Sequence, residues 1–167
     1  YALENAIYAD AEHQISDKIS LSYGIRFSNF LRLGEQTLNI YQDNKPVVFN
    51  ESFSIYESAE PIGTVHYGRN KTIAKFDNLE PRFAFSYMIN EDKSVKASYN
   101  RMSQYLHLIS NTQSPTPLDV WAPSDYFMRP QLLDQYAIGY FQNFKEDKYS
   151  LEIETFYKDV KNRVDYI

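Results

Sequence analysis

The chain contains about six segments in which apolar or aromatic residues alternate with polar ones. The alternation is clearest over 19–28, where every second residue is apolar or aromatic: Ile19, Leu21, Tyr23, Ile25 and Phe27. Successive side chains of a β-strand point to opposite sides of the sheet, so a period of two places all of these residues on one face. The pattern predicts an all-β protein with about six strands in an antiparallel up-and-down meander.

The predicted strands pair as three hairpins, which lie near 3–33, 81–102 and 132–158. Each hairpin closes through a short polar turn, at 16–18, 90–93 and 145–148. The linkers between the hairpins are long and lie near 34–80 and 103–131. Proline cannot donate to a strand ladder, and every proline of the chain lies in a linker or at a strand entrance, which supports these assignments.

This sorting of short turns and long linkers narrows the class of β-protein. Antiparallel strands alternate in direction, so the short turns join strand ends on one side of the sheet and both linkers join strand ends on the opposite side. Outer-membrane barrels have short periplasmic turns and long extracellular loops, and ten residues per strand, tilted near 45°, rise roughly 24 Å through an apolar band of about 25 Å. We therefore expect a transmembrane β-barrel wall in which the linkers are extracellular loops. A soluble β-sandwich that buries the same apolar faces and serves as a ligand-binding module is the alternative.

Length and charge limit the possibilities further. About six strands in 167 residues are fewer than the eight of the smallest membrane barrels, so we expect a segment of a larger barrel. The net charge of -5, with 17 Lys and Arg against 22 Asp and Glu, argues against nucleic acid as a partner. The chain has no cysteine, which excludes disulfides, Cys-ligated zinc and thiol catalysis.

Several strand motifs resemble those of the TonB-dependent outer-membrane receptors. The stretch 79–87, LEPRFAFSY, is similar to a strand entry of that family, and 90–101, NEDKSVKASYNR, is similar to the turn and strand that follow it. The stretches 129–140 and 157–162 resemble a later strand entry and a strand end. The likeness covers most of residues 1–160, with the motifs in the same order.

The resemblance implies a barrel of roughly 22 strands that is closed by a plug domain. It implies active uptake of a scarce solute, such as an iron chelate, a vitamin or a glycan, across the outer membrane of a Gram-negative cell. The implied partners are outer-membrane lipid, the rest of the barrel and its plug, TonB through the parent protein, and a small-molecule or glycan substrate. A passive outer-membrane porin or adhesin is a further alternative.

Two sets of residues are candidates for contact with a solute. A charged row is expected to face the lumen and to line a solute path: Glu4, Asp10, Glu12, Arg26, Glu152 and Glu154. Charge is also ordinary on a wet barrel wall, so the row has a purely structural interpretation as well. The second linker carries the other set, an arginine with aromatic residues suited to a ligand: Trp121, Tyr126, Phe127 and Arg129. Packing of this loop against its neighbour is the competing interpretation.

The sequence offers little support for metal or catalytic chemistry. His13, His66 and His107 have no metal-ligand spacing, so we expect neither a metal site nor a cofactor. Glu152 and Glu154 share a face of their strand, but nothing places them across a cleft as glycoside hydrolysis requires. We therefore expect a protein that is not an enzyme.

Overall fold

The computed structural model describes residues 1–109, 120–144 and 148–164. In chain order the strands are β1 (Ala2–Ser16), β2 (Ile19–Leu33), β3 (Gln36–Ile40), β4 (Val47–Asn50), β5 (Ile55–Ser58), β6 (Gly63–Tyr67), β7 (Thr72–Asn90), β8 (Lys93–Gln104), β9 (Leu106–Ile109), β10 (Val120–Pro123), β11 (Gln131–Phe144) and β12 (Tyr149–Lys161). A short 3-10 helix, Gln42–Asn44, lies between β3 and β4. Among the described residues, no helix has the length and apolar character needed to cross a membrane.

Six long strands form one antiparallel sheet in the order β1-β2-β7-β8-β11-β12. Each of these strands pairs with the next long strand along the chain, so the predicted all-β, six-stranded meander is confirmed. The remaining strands form three small antiparallel pairs, β3 with β6, β4 with β5, and β9 with β10. All three pairs lie in the long connections, which join the strand ends opposite the short turns.

The strand expected to begin near residue 81 begins earlier, at Thr72. The last part of the predicted linker 34–80 is therefore strand. The reason is that β2 is long, and its half remote from the short turns pairs with Phe76 and its neighbours. Pro81 lies inside β7, just beyond Arg82, where the pairing of β7 with β8 ends. A strand with a partner on one side tolerates a proline, which is why this proline does not mark a strand entrance.

The second predicted linker, 103–131, also contains strands. Gln104 is the last residue of β8, and β9 and β10 follow before β11 begins at Gln131. Part of this linker, 110–119, lies outside the described residues, as does most of the turn predicted at 145–148. The hairpin expected near 132–158 extends to Lys161 at the end of β12.

The main sheet has one face covered with apolar and aromatic side chains, which we call the apolar face. One row of it crosses five strands in register: Tyr23, Phe83, Tyr99, Tyr136 and Tyr157. These side chains are not packed into a core, because Ile138 is 53% exposed, Ile153 58% and Tyr157 65%. A sandwich would bury this face, so the sandwich alternative is wrong.

The apolar face ends in polar residues on its upper side, away from the short turns. On β2 and β7 the border is Asn29, which donates to the Asp77 carboxylate at 2.6 Å. On β8 and β11 the border is the pair of Arg101 and Asp134. On β12 the apolar stretch from Tyr149 upward ends at Tyr157, which is roughly 30 Å along the strand and about 21 Å when tilted near 45°. This height approaches the apolar band of about 25 Å of an outer-membrane barrel.

Candidate functional site

The face opposite the apolar one, which we call the polar face, is concave and carries small and charged side chains. One concavity of about 540 Å³ extends along it from Glu12 on β1 to Glu154 on β12, with Lys96 between them. Gly139 on this face lies beneath the Phe141 ring, and the Lys96 ammonium lies 4.9 Å from the centre of the same ring. The concavity is therefore bordered by both signs of charge.

The register places all six residues of the predicted charged row on the polar face. Glu4 and Arg26 form an ion pair at 2.9 Å, with Asp10 further along β1 beside Gly24. Glu12 and Glu154 line the concavity, and Glu152 lies opposite Phe141. The residues do not converge on one point, because β1 and β12 are the outermost strands of the sheet.

At the upper end of the polar face, the residue that follows β8 packs into a small buried cluster. The Tyr105 ring stacks on Phe30, and its hydroxyl lies 2.6 Å from Ser28 Oγ. Asn78 donates to the Tyr105 hydroxyl at 2.8 Å, and Ser28 donates to Glu80 at 2.6 Å. Since Ser28 has a single proton, the Tyr105 hydroxyl must donate to Ser28, which gives a continuous chain of donors that ends on the Glu80 carboxylate.

A second buried contact joins the two ends of the β9–β10 pair. His107 Nε2 lies 2.9 Å from Ser124 Oγ, and Ser124 N donates to the Tyr105 carbonyl at 2.7 Å. Burial lowers the pKa of His107, and the nearby Asp125 opposes that shift only in part. The neutral form of the imidazole is therefore favoured in this contact.

The Ser124 and His107 pair has the residue types of a hydrolase site but not the access that a substrate needs. Ser124 is fully buried, so a substrate has no access to its hydroxyl. The nearby Asp125 accepts the backbone N–H groups of Phe127 and Met128 through one oxygen and shapes the turn there. These contacts stabilise the loop. Within the described ranges no three His, Cys, Asp or Glu side chains are grouped to hold a metal ion.

An opening lies above β8, because β8 stops pairing with β7 at Asn100 while β7 continues upward to Thr72. The loop between β10 and β11 borders it and leaves a cavity of about 460 Å³. We call this cavity the notch and define it by six of its lining residues: Lys75, Phe76, Asp77, Tyr126, Arg129 and Asn162. The notch lies at the upper border of the apolar face, on the side away from the short turns.

Two of the four predicted loop residues, Tyr126 and Arg129, line the notch. Phe127 instead packs edge-on against Tyr41, with ring centres 5.6 Å apart, and so joins the two linkers. Trp121 lies on β10 with 55% of its surface exposed and is not among the residues that line the notch. The structure thus separates the predicted set into a cavity-lining pair, a packing residue and an exposed residue.

Sequence reasoning missed three polar residues of the notch. Lys75 and Asp77 fall in the part of β7 that was expected to be linker, and they form an ion pair at 3.0 Å. Asn162 follows β12 and donates to the Pro130 carbonyl at 2.9 Å. The sequence carries no clear signal for Lys75 and Asp77, because Asp77 and Asn78 are both polar and the apolar Phe76 lies on the same side of the strand as Glu80.

Comparison with protein families gives a match over the full length of the chain. The model of the family described as "TonB dependent receptor-like, beta-barrel" matches residues 1–167. Comparison with curated proteins found no match, and comparison with solved structures found none either. This family consists of outer-membrane receptors that transport solutes and is not a family of enzymes. With its exposed apolar face, its concave polar face and a match over its full length, the chain belongs to the TonB-dependent receptor β-barrel family.

Proposed function

We propose that the chain forms part of the outer-membrane wall of a receptor that takes up a scarce solute with energy from TonB. The observation that carries the proposal is the exposed apolar face on a meander that matches the barrel family over residues 1–167. A face of this kind is stable in water only when covered, and hydrocarbon covers it without a second protein layer. The Gram-negative outer membrane is the location that this family implies.

In this proposal the polar face lines the lumen of the barrel. The charged row from Glu4 to Glu154 then contacts water and the plug domain, and the outermost strands β1 and β12 pair with the rest of the barrel. The linkers face the outside of the cell, with Tyr126 and Arg129 available to an arriving solute. An iron chelate, a vitamin or a glycan is the proposed class of solute, and the chain itself catalyses no reaction.

The orientation can be tested in whole cells, since the chain contains no cysteine. Phe53 is 72% exposed between β4 and β5, and Asp17 lies in the turn between β1 and β2. We expect an impermeant maleimide to label a Phe53→Cys variant of the intact protein in whole cells and an Asp17→Cys variant only after lysis. The reverse labelling would contradict the orientation, and labelling of both in whole cells would contradict a membrane location.

Transport is tested separately in cells that have no other uptake route for the solute. We expect growth on the transported solute as the limiting nutrient to require both the intact protein and TonB, because active uptake draws its energy through TonB. Growth that needs the protein but not TonB would replace this proposal with a passive porin. A protein that supports attachment of cells but no growth would be an adhesin.

A further inference from the structure

The notch is part of the wall and is separate from the concavity of the polar face. Lys75 and Asp77 alternate with Phe76 along β7, so the notch is lined by side chains from both faces of one strand. Such a position arises because β8 stops pairing with β7 at Asn100, although β8 itself continues to Gln104 beside β11. The notch therefore opens at the border between the apolar face and the polar surface above it.

The polar groups of the notch that can still bind a ligand are mainly cationic hydrogen-bond donors. Asp77 accepts from Asn29 through Oδ1 and from Lys75 through Oδ2, so both of its oxygens are engaged. In the described part of the chain, Arg129 has no ion pair and no hydrogen bond, and it is exposed to solvent. Two cations against one carboxylate leave an excess of positive charge here, although the whole chain carries -5.

The apolar part of the lining shows where the rest of a ligand would lie. The Phe76 and Tyr126 side chains line the same cavity as Arg129. A guanidinium group binds the two oxygens of a carboxylate or a phosphate through parallel hydrogen bonds, and an ammonium group adds a third contact. A ligand with an oxyanion and an adjoining ring or hydrocarbon segment matches this arrangement.

We propose that the notch is a binding site for an oxyanion, a phosphate or carboxylate group held by Arg129 and Lys75. The border position admits two sources of that group, a lipid headgroup from the outer leaflet or a free solute from outside the cell. The proposal goes beyond uptake, because the site would bind its ligand whether or not the protein transports anything. Its test therefore measures binding and leaves transport aside.

The test uses the intact protein in lipid nanodiscs made from an uncharged phospholipid mixture. One arm titrates inorganic phosphate and citrate, and the other measures recruitment of phosphatidylglycerol into the discs around the protein. The variants are Arg129→Gln, Arg129→Lys and Asp77→Asn. Arg69→Gln is the matched control, because Arg69 is an exposed arginine in the turn before β7 and does not line the notch.

We expect Arg129→Gln to weaken binding about tenfold in one arm, because it removes a charge-assisted pair of hydrogen bonds. Arg129→Lys should retain most of the affinity, and Arg69→Gln should leave it unchanged. Asp77→Asn should strengthen binding about threefold, since it removes the opposing charge. If Arg129 and Asp77 had only a structural role, Arg129→Gln and Asp77→Asn would not change the affinity in opposite directions.

The arm that responds identifies the source of the oxyanion. A response to phosphate or citrate assigns the site to a free solute, and a response limited to phosphatidylglycerol assigns it to a lipid headgroup. Equal binding by wild type, Arg129→Gln and Asp77→Asn in both arms would overturn the proposal. If Arg129→Gln fails to fold, Asp77→Asn decides the question, because binding about threefold stronger supports the proposal and binding equal to that of wild type overturns it.

Discussion

Tyr105 stacks face to face on Phe30, with ring centres 4.8 Å apart and planes 1° from parallel. Both side chains are buried, and together with Ile73 they make up the buried apolar side chains of the described residues. The protein therefore has its small core at the end of the sheet where the linkers attach. Elsewhere the described apolar side chains are half-buried or exposed, as expected for a wall in contact with lipid.

The Tyr105 hydroxyl should contribute measurably to stability. Tyr105→Phe keeps the stacked ring but leaves Asn78 without its acceptor and Ser28 without its donor. We expect the free energy of unfolding of the intact protein to fall by about 1–3 kcal/mol, measured by urea unfolding in detergent. Tyr126→Phe is the control, because no hydrogen bond of its hydroxyl is found among the described residues. Equal effects of the two variants would show that the donor chain to Glu80 contributes nothing.

The two faces of β11 should respond differently to the same charge. Ile138 is 53% exposed on the apolar face, and its neighbour Ala137 lines the concavity of the polar face. We expect Ile138→Lys to destabilise the intact protein in lipid vesicles by about 2–4 kcal/mol, because the ammonium would enter hydrocarbon. Ala137→Lys should change the free energy of unfolding far less, since its side chain enters water. A comparable loss at both positions would argue against lipid contact on the apolar face.

The polar border on β8 and β11 should act as one unit. Arg101 donates to both oxygens of Asp134 at 2.7 and 2.8 Å, and Tyr99 donates to the same carboxylate at 2.7 Å. In a double-mutant cycle of Arg101→Gln and Asp134→Asn, we expect a coupling free energy of about 1–3 kcal/mol in urea unfolding. Lys75→Gln serves as an unrelated surface change, and it should be additive with either substitution. Additive effects of Arg101→Gln and Asp134→Asn themselves would mean that the close geometry has no energetic consequence.

The contact between His107 and Ser124 should make the β9–β10 pair sensitive to pH. Burial lowers the pKa of His107 in the folded protein below its usual value near 6.5. The unfolded or detached loop therefore binds the proton more readily, so the stabilisation is present above about pH 6.5 and is lost as the pH falls towards the folded pKa.

We expect the backbone amides of β9 and β10 to exchange with deuterium faster at pH 5 than at pH 7, after correction for intrinsic rates. A His107→Gln variant should lose this dependence because it does not titrate. His66→Gln is the matched control, since His66 is exposed on β6 and bonds to Thr37. If wild type and His107→Gln respond to pH alike, another group controls the loop.

Sequence reasoning recovered the sheet because a period of two is a local property. Ile19 to Phe27 and Tyr149 to Ile153 each specify a two-faced strand without reference to any other part of the chain. The missed upper half of β7 has a local cause as well, since a proline at position 81 predicts a strand entrance there. It lies inside the strand because β8 no longer pairs there, and that is a property of the neighbouring strand.

The candidate site was predictable only in part, for a similar reason. Tyr126 and Arg129 were found because exposed aromatic residues and arginines in a loop commonly bind ligands. Their partners Lys75 and Asp77 lie on β7, and only the fold brings that strand beside the loop. Burial of Tyr105 depends likewise on Ser28 and Asn78, which lie on two earlier strands.

The sequence by itself determined that every second side chain of the long strands is apolar and that short turns alternate with long linkers. These features follow from backbone geometry, in which neighbouring side chains point to opposite sides. The tertiary structure alone decided that the apolar face stays uncovered and that β8 stops pairing with β7 beyond Asn100. It also decided that a stacked tyrosine fastens the β9–β10 pair to the polar face. These features depend on the register between strands that are distant in the sequence, and side-chain packing across the sheet determines that register.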